Sequence, residues 1–138
     1  MTDADLVEKK LARIETCLVE IETRLDPAEI ESDIRAERFA EHTLQIAIQA
    51  AQDVASHIVS AGRLGEPRTN RELFAILART GWMAESSAES LERMIGFRNI
   101  LVHGYEIVDP AIVRDVVEHH LGDLRTFVAE IRRGLAAE

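Results

Sequence analysis

Aromatic residues are scarce in this chain, with Phe, Trp and Tyr together making up 4 % of it. That shortage argues against extensive stacking on single-stranded nucleic acid. Proline is equally thin, at three residues. With so few aromatics and prolines, long helices are expected rather than strands. Cys17 stands alone, which rules out an intrachain disulfide framework and a cysteine-cluster zinc site and fits a reducing compartment. No apolar run approaches the ~18 residues of a membrane span. The first residues, Met1-Thr2-Asp3-Ala4-Asp5, lack the basic and apolar regions of a signal peptide. A cytoplasmic protein with no membrane partner is expected. An excess of basic charge is missing too: the formal net charge is −9, which disfavours tight non-specific binding to a phosphate backbone.

The charge that is present is unevenly spread. Residues 1–41 hold twelve acids and six bases, whereas residues 60–98 hold six arginines and five acids. The acidic half is a solvated face or a docking surface. The arginine-bearing middle is able to meet an anion locally. At 138 residues, 46 % of them hydrophobic, the chain is long enough to bury a core as one domain, 1–138.

Hydrophobic spacing predicts five helices. The first, from about Thr2 to Leu25, carries Val7, Leu11, Ile14, Leu18, Ile21 and Leu25 as a heptad seam. Cys17 lies beside that seam as buried filler. Asp26-Pro27 interrupts the pattern and caps a long second helix, about Ala28 to Ala61, with Pro27 at its first position. That helix is apolar on two sides and alanine-rich, which makes it central in a bundle. Thr69-Asn70-Arg71-Glu72 has capping-box spacing and starts a short third helix that stops near Gly81. Ser86-Ser87-Ala88-Glu89 repeats the spacing before a fourth helix striped with Leu91, Met94, Ile95, Arg98, Leu101 and Val102, with Gly104 as its stop. Asp109-Pro110 starts a fifth helix that reaches Ile131. The fold class is an all-α antiparallel bundle.

One string breaks the pattern. In Arg98-Asn99-Ile100-Leu101-Val102-His103-Gly104-Tyr105, Arg98 occupies a stripe position that should be apolar. A permanent cation there is expensive unless paired or used. Asn99 and His103, four apart, share a helical face. Arg98 and His103, five apart, lie about 140° round an ideal helix. Either the helix unwinds near Gly104 or two chains combine their groups across a symmetric interface. The chemistry suits phosphate: Arg98 offers a planar fork of donors, His103 moves a proton near neutrality, and Asn99 orients it or binds an oxygen. RNA brings its own nucleophile, the 2′-hydroxyl, so such a site needs no metal for strand cleavage. The plain structural alternative is a helix-end arginine satisfied by a carboxylate such as Asp53, with His103 as a cap.

The string resembles the arginine–four residues–histidine–x–tyrosine signature of the HEPN superfamily, in its HepT-like branch. The stretches Ala36 to Ile58, Glu72-Leu73-Phe74 and Met94 to Tyr105, and the closing helix with Asp123-Leu124 and Phe127, are similar as well, so that the resemblance covers roughly residues 28 to 130. It implies a dimer of all-α subunits pairing through the motif helix. It implies a metal-independent ribonuclease toxin of a type VII toxin–antitoxin pair, with a composite interface site. Arg98 and His103 are then catalytic and Asn99 supports them, with RNA as substrate. It further implies a minimal nucleotidyltransferase antitoxin that transfers AMP to Tyr105 and blocks the site. The alternative from another class is a non-catalytic helical module that partners a nucleotidyltransferase or binds a nucleotide. No cofactor is expected.

Other polar residues have plainer readings. Asp53 and His57, four apart, have the spacing of a two-ligand metal pair but no third ligand, so no metal site is expected. Asp53 is expected to orient Arg98, and His57 to bond a neighbouring backbone group. His119 and His120 divide between surface and seam, and His42 is exposed. Trp82 either closes the core or stacks on a base. Arg63, Arg68 and Arg71 flank a loop as solvated charge or as a guide for RNA.

Overall fold

A computed structural model describes residues 2–103 and 108–138, with His103 described in its backbone alone. Every regular element among the described residues is helical. They are α1 (Ala4–Arg24), a 3-10 turn (Pro27–Glu29), α2 (Ile34–Ala61), α3 (Asn70–Arg79), α4 (Glu85–His103), α5 (Pro110–His119) and α6 (Leu121–Ala137). The all-α bundle is therefore built as the hydrophobic periods predict. The expected stop at Gly104 lies outside the described residues.

Side-chain caps fix most boundaries. Asp3 accepts from the Leu6 amide at 3.1 Å at the head of α1. Thr69 accepts from Glu72 N at 3.3 Å at the head of α3, and Glu72 reaches back to the Arg68 amide. Asp109 accepts from Ala111 N at 2.9 Å, with Pro110 opening α5. Each such cap satisfies one of the donors that a helix start leaves open, and is worth about 1 kcal/mol.

Three expected boundaries need correction. The helix expected from Ala28 begins at Ile34 instead. Asp26 and Pro27 start only the 3-10 turn, and Asp33 caps α2 by accepting from Arg35 N at 2.9 Å. The second capping box is not used: α4 is already under way at Glu85, and the Ala84 amide before it donates to Glu130 of α6 at 2.7 Å. The single closing helix is two, so the described residues form six α-helices rather than five. The backbone turns at His120 (φ −123°, ψ 0°), whose amide ends α5 on the Val116 carbonyl at 2.9 Å. Its ring spans the break, 3.3 Å from both Asp115 and Asp123. The turn keeps Val113, Val116, Val117, Leu121, Leu124 and Phe127 all facing the core, so the apolar period runs through the break unchanged.

Packing is antiparallel where contacts define direction. Along α1 and α6, Thr2 meets Glu138, Glu8 meets Arg132 and Glu22 meets Arg125. Along α1 and α2, Asp3 meets His57 and Lys10 meets Asp53. α2 touches every other helix. Its buried Ala40, Ala47, Ala51 and Ala55 let those neighbours approach closely. Phe74 and Phe127 meet edge to face at the centre, with centroids 5.9 Å apart. Arg132 also bonds Glu15, and that contact holds the Glu15 carboxyl below its ordinary range. This small, solvent-screened stabilisation is present above the ordinary carboxylate pKa and is lost as pH falls through the lowered one. Cys17 is buried, and burial pushes its thiol up.

Trp82 packs against the core, as one of its two sequence readings has it. It does so by lying on Gly134 of α6, where an added Cβ would come within 2.3 Å of the indole. Gly134→Ala gains about 1 kcal/mol of helix propensity but overpacks a rigid ring at about 1–3 kcal/mol. We expect net destabilisation, read as a Tm drop of about 3 °C. A shift in the emission of Trp82, the sole tryptophan, should accompany it. A rise in Tm would show that the indole yields freely.

Candidate functional site

The motif helix α4 is buried at Leu91, Met94, Ile95 and Phe97. Its stripe then opens at Arg98, which is half-buried. The apolar positions before it pin α4 against α2, α3 and α6, and so fix where the Arg98 backbone stands. Its guanidinium Nε is buried and has no hydrogen-bond partner. Leaving a charged donor in that state costs upwards of about 1–3 kcal/mol. Asn99 beside it is half-buried and Ile100 is 53 % exposed. α4 remains helical through His103. The backbone there is about 140° round the helix from Arg98. The His103 side chain and Tyr105 lie outside the described residues.

Arg98 borders a cavity of about 210 Å³. Lys10 and Arg13 line it from α1, and His42, Gln49 and Asp53 from α2. The expectation that Asp53 pairs with Arg98 needs correction, because its hydrogen bonds go elsewhere. One carboxylate oxygen takes Lys10 Nζ at 3.3 Å, and the other takes Gln49 Nε2 at 2.7 Å. Lys10 sits opposite Asp53 on the neighbouring helix, and Gln49 lies one turn before it on α2, so both reach it first. Asp53 thus shares the cavity with Arg98 without bonding it, and among the described residues no other carboxylate pairs with the arginine. Among the described residues the plain reading of a carboxylate-satisfied arginine thus finds no carboxylate on Arg98, and its cap, His103, lies outside the described side chains.

His57 behaves as expected, accepting the Asp3 backbone amide on Nε2 at 3.0 Å. His42 and His119 are exposed, and His120 is half-buried. Arg63 and Arg68 are exposed loop residues. Arg71 lies over Gly96 of the motif helix, where a Cβ would meet its Nη2 at 2.5 Å. It edges a second, larger hollow of about 570 Å³ between α4 and α5, floored by Phe97, Ile100, Ile112 and Val116. The cavity residues Lys10 and Arg13 escaped sequence reasoning. They form an i, i+3 basic pair on an otherwise acidic stretch. That pattern reads as ordinary surface until the fold sets it opposite Arg98.

The helical bundle with its motif helix is that of a HEPN-type protein, as its match to a solved HEPN toxin shows. The chain belongs to the Ribonuclease HepT-like family, whose model matches residues 8–131. It is similar to the mRNA nuclease HepT of Shewanella oneidensis, at 32 % identity over 93 % of this chain and 97 % of that one. It is also similar to the tRNA nuclease HepT of Aphanizomenon flos-aquae, at 31 % identity over 72 % of this chain and 68 % of that one. Its fold matches a solved structure of the tri-AMPylated Shewanella oneidensis HEPN toxin in complex with an MNT antitoxin. There the TM-score is 0.87 and the identity 31 %, covering 96 % of this chain and 99 % of that one. Among the described residues no helix is long and apolar enough to cross a membrane.

Proposed function

We propose that this protein is a cytoplasmic endoribonuclease toxin whose active site forms when two copies pair through α4, and that a nucleotidyltransferase antitoxin silences it. The observation that carries the reading is the buried, unpartnered Nε of Arg98. A fold retains such a group when a ligand completes it, and a guanidinium fork matches phosphate oxygens. Family membership and the similarity to named RNA nucleases supply the substrate class.

The chemistry follows from the residue types. His103 accepts the proton of the RNA 2′-hydroxyl, whose oxygen attacks the adjacent phosphorus. Arg98 stabilises the charge gathering on the pentacoordinate phosphate. The 5′-oxygen leaves and takes a proton from an imidazolium, giving a 2′,3′-cyclic phosphate and a 5′-hydroxyl. Asn99 orients the histidine. Asp53 supports the site indirectly, by holding Lys10 and Gln49 in the cavity wall. No metal is required in this scheme.

Because α4 stays helical from Arg98 to His103, one copy does not turn both groups onto one phosphorus. Two copies do, if Arg98 comes from one and His103 from the other. The exposed apolar pair Ile100 (53 %) and Ile112 (48 %) supplies the surface for pairing. Ile100→Asp is expected to convert the dimer to a monomer in light scattering at micromolar concentration, with the helical circular dichroism spectrum unchanged. A dimer that survives this change pairs elsewhere. A non-catalytic binding module, the other reading, would also employ Arg98 on a nucleotide phosphate, and the similarity to named RNA nucleases favours cleavage over it.

A further inference from the structure

The cavity beside Arg98 holds more positive charge than one scissile phosphate uses. Lys10, Arg13 and Arg98 all border it, and Asp53 is the one carboxylate among the residues lining it. Asp53 is already engaged by Lys10 at 3.3 Å and Gln49 at 2.7 Å. Among the described residues neither Arg13 nor Arg98 has a carboxylate partner. In a chain of net charge −9, an acid close to Arg13 would be easy to supply. Lys10 is thus paired with Asp53, and Arg13 and Arg98 are the cations at the cavity without a carboxylate among the described residues.

We propose that Lys10, Arg13 and His42 form a subsite for a phosphodiester of single-stranded RNA, next to the phosphate that Arg98 takes. The proposal rests on the ribonuclease reading for its ligand. Lys10 and Arg13 are three residues apart on α1 and share a face, while His42, Gln49 and Asp53 run along one face of α2. The two faces make opposite walls, with Arg98 of α4 at one end. A volume of about 210 Å³ is below the roughly 300–1,000 Å³ of ordinary ligand pockets. It suits one phosphate with its sugar, not a duplex. A flexible single strand is able to enter it, and recognition through the backbone leaves the base sequence unread. Arg13 supplies a charged fork at an exposed position and His42 a ring nitrogen able to donate to a phosphate oxygen.

The experiment is fluorescence anisotropy with a single-stranded 2′-O-methyl oligoribonucleotide, whose blocked 2′-oxygen prevents cleavage, titrated over a range of salt. Arg13 is exposed on the outside of α1, so Arg13→Ala preserves the fold. Each phosphate contact contributes about 0.7 to the slope of log K against log salt for single strands. Arg13→Ala is expected to lower that slope by about 0.7 and weaken binding roughly fivefold to tenfold. Arg13→Lys should recover most of the affinity. Adding Lys10→Gln should lower the slope further. With a cleavable RNA, Arg13→Ala should raise KM while kcat stays within about twofold, the signature of lost ground-state binding.

Unchanged affinity, slope and KM in Arg13→Ala overturn the subsite. So does a variant that loses antitoxin binding but not RNA binding, or a parent protein that does not bind the oligonucleotide. The nuclease reading stands or falls separately. If Arg98→Ala abolishes cleavage while Arg13→Ala moves nothing, the nuclease survives and the subsite does not. If no RNA is cut but binding depends on Arg13, the subsite survives and the nuclease does not.

Discussion

Arg98→Ala is expected to reduce RNA cleavage about 100- to 1,000-fold, the loss that follows removal of one preorganised donor to a developing oxyanion. His103→Ala is expected to cost about 100- to 10,000-fold through loss of proton transfer. The two substitutions should part company in stability. Alanine at position 98 removes a buried charged donor with no partner, so its Tm should hold or rise, the usual exchange of stability for function at an active site. A fall of several degrees would show that Arg98 is structural after all. The shared-site geometry has its own test. If one copy gives the arginine and the other the histidine, a mixed dimer of Arg98→Ala and His103→Ala retains one intact arginine–histidine pair. Mixing the two inactive proteins should then restore cleavage. No recovery, under conditions where subunits are shown to exchange, would mean that each copy acts alone.

The second large effect concerns Tyr105. Co-expression with a nucleotidyltransferase antitoxin should add mass to the chain in AMP-sized steps, and Tyr105→Phe should add none. In the transfer, the tyrosine oxygen attacks the α-phosphorus of ATP, pyrophosphate leaves, and the phenolic proton goes to solvent or a base on the antitoxin. The product carries a phosphodiester with one negative charge and a bulky nucleoside. A group of that charge and bulk is expected to compete for the donors RNA requires. Cleavage by the modified protein should fall to the level of Arg98→Ala. Tyr105→Phe should cut RNA and inhibit growth even when the antitoxin is present. Modification of Tyr105→Phe to the same extent as the parent would place the acceptor elsewhere.

Much of this architecture was readable from spacing because helix packing leaves a periodic trace. The seam from Val7 to Ile21 and the stripe from Leu91 to Ile95 are buried as their periods require. What escaped was structure that leaves the period intact. The turn at His120 keeps both flanking helices in phase, so neither proline nor a shifted pattern announces it. The head of α4 is held by Glu130, 46 residues further on, and no local motif encodes a partner at that distance. The candidate site divides the same way. Arg98 stood out because it violates a local stripe. Lys10 and Arg13 violate nothing on α1, and gain meaning only from the helix set beside them. Asp53 was placed in the right cavity with the wrong partner, since Lys10 and Gln49 reach it and Arg98 does not.

Ala50 of α2 is 2 % exposed and belongs to the buried cluster, yet it also borders the cavity beside Arg98. One methyl group is thus both packing material and wall of the reaction vessel. Adding carbon there would fill the space RNA is to occupy, and removing it would loosen the scaffold that holds the arginine. Substitution at Ala50 is therefore expected to be constrained from both sides, by packing and by the proposed site, even though the residue has no chemistry of its own.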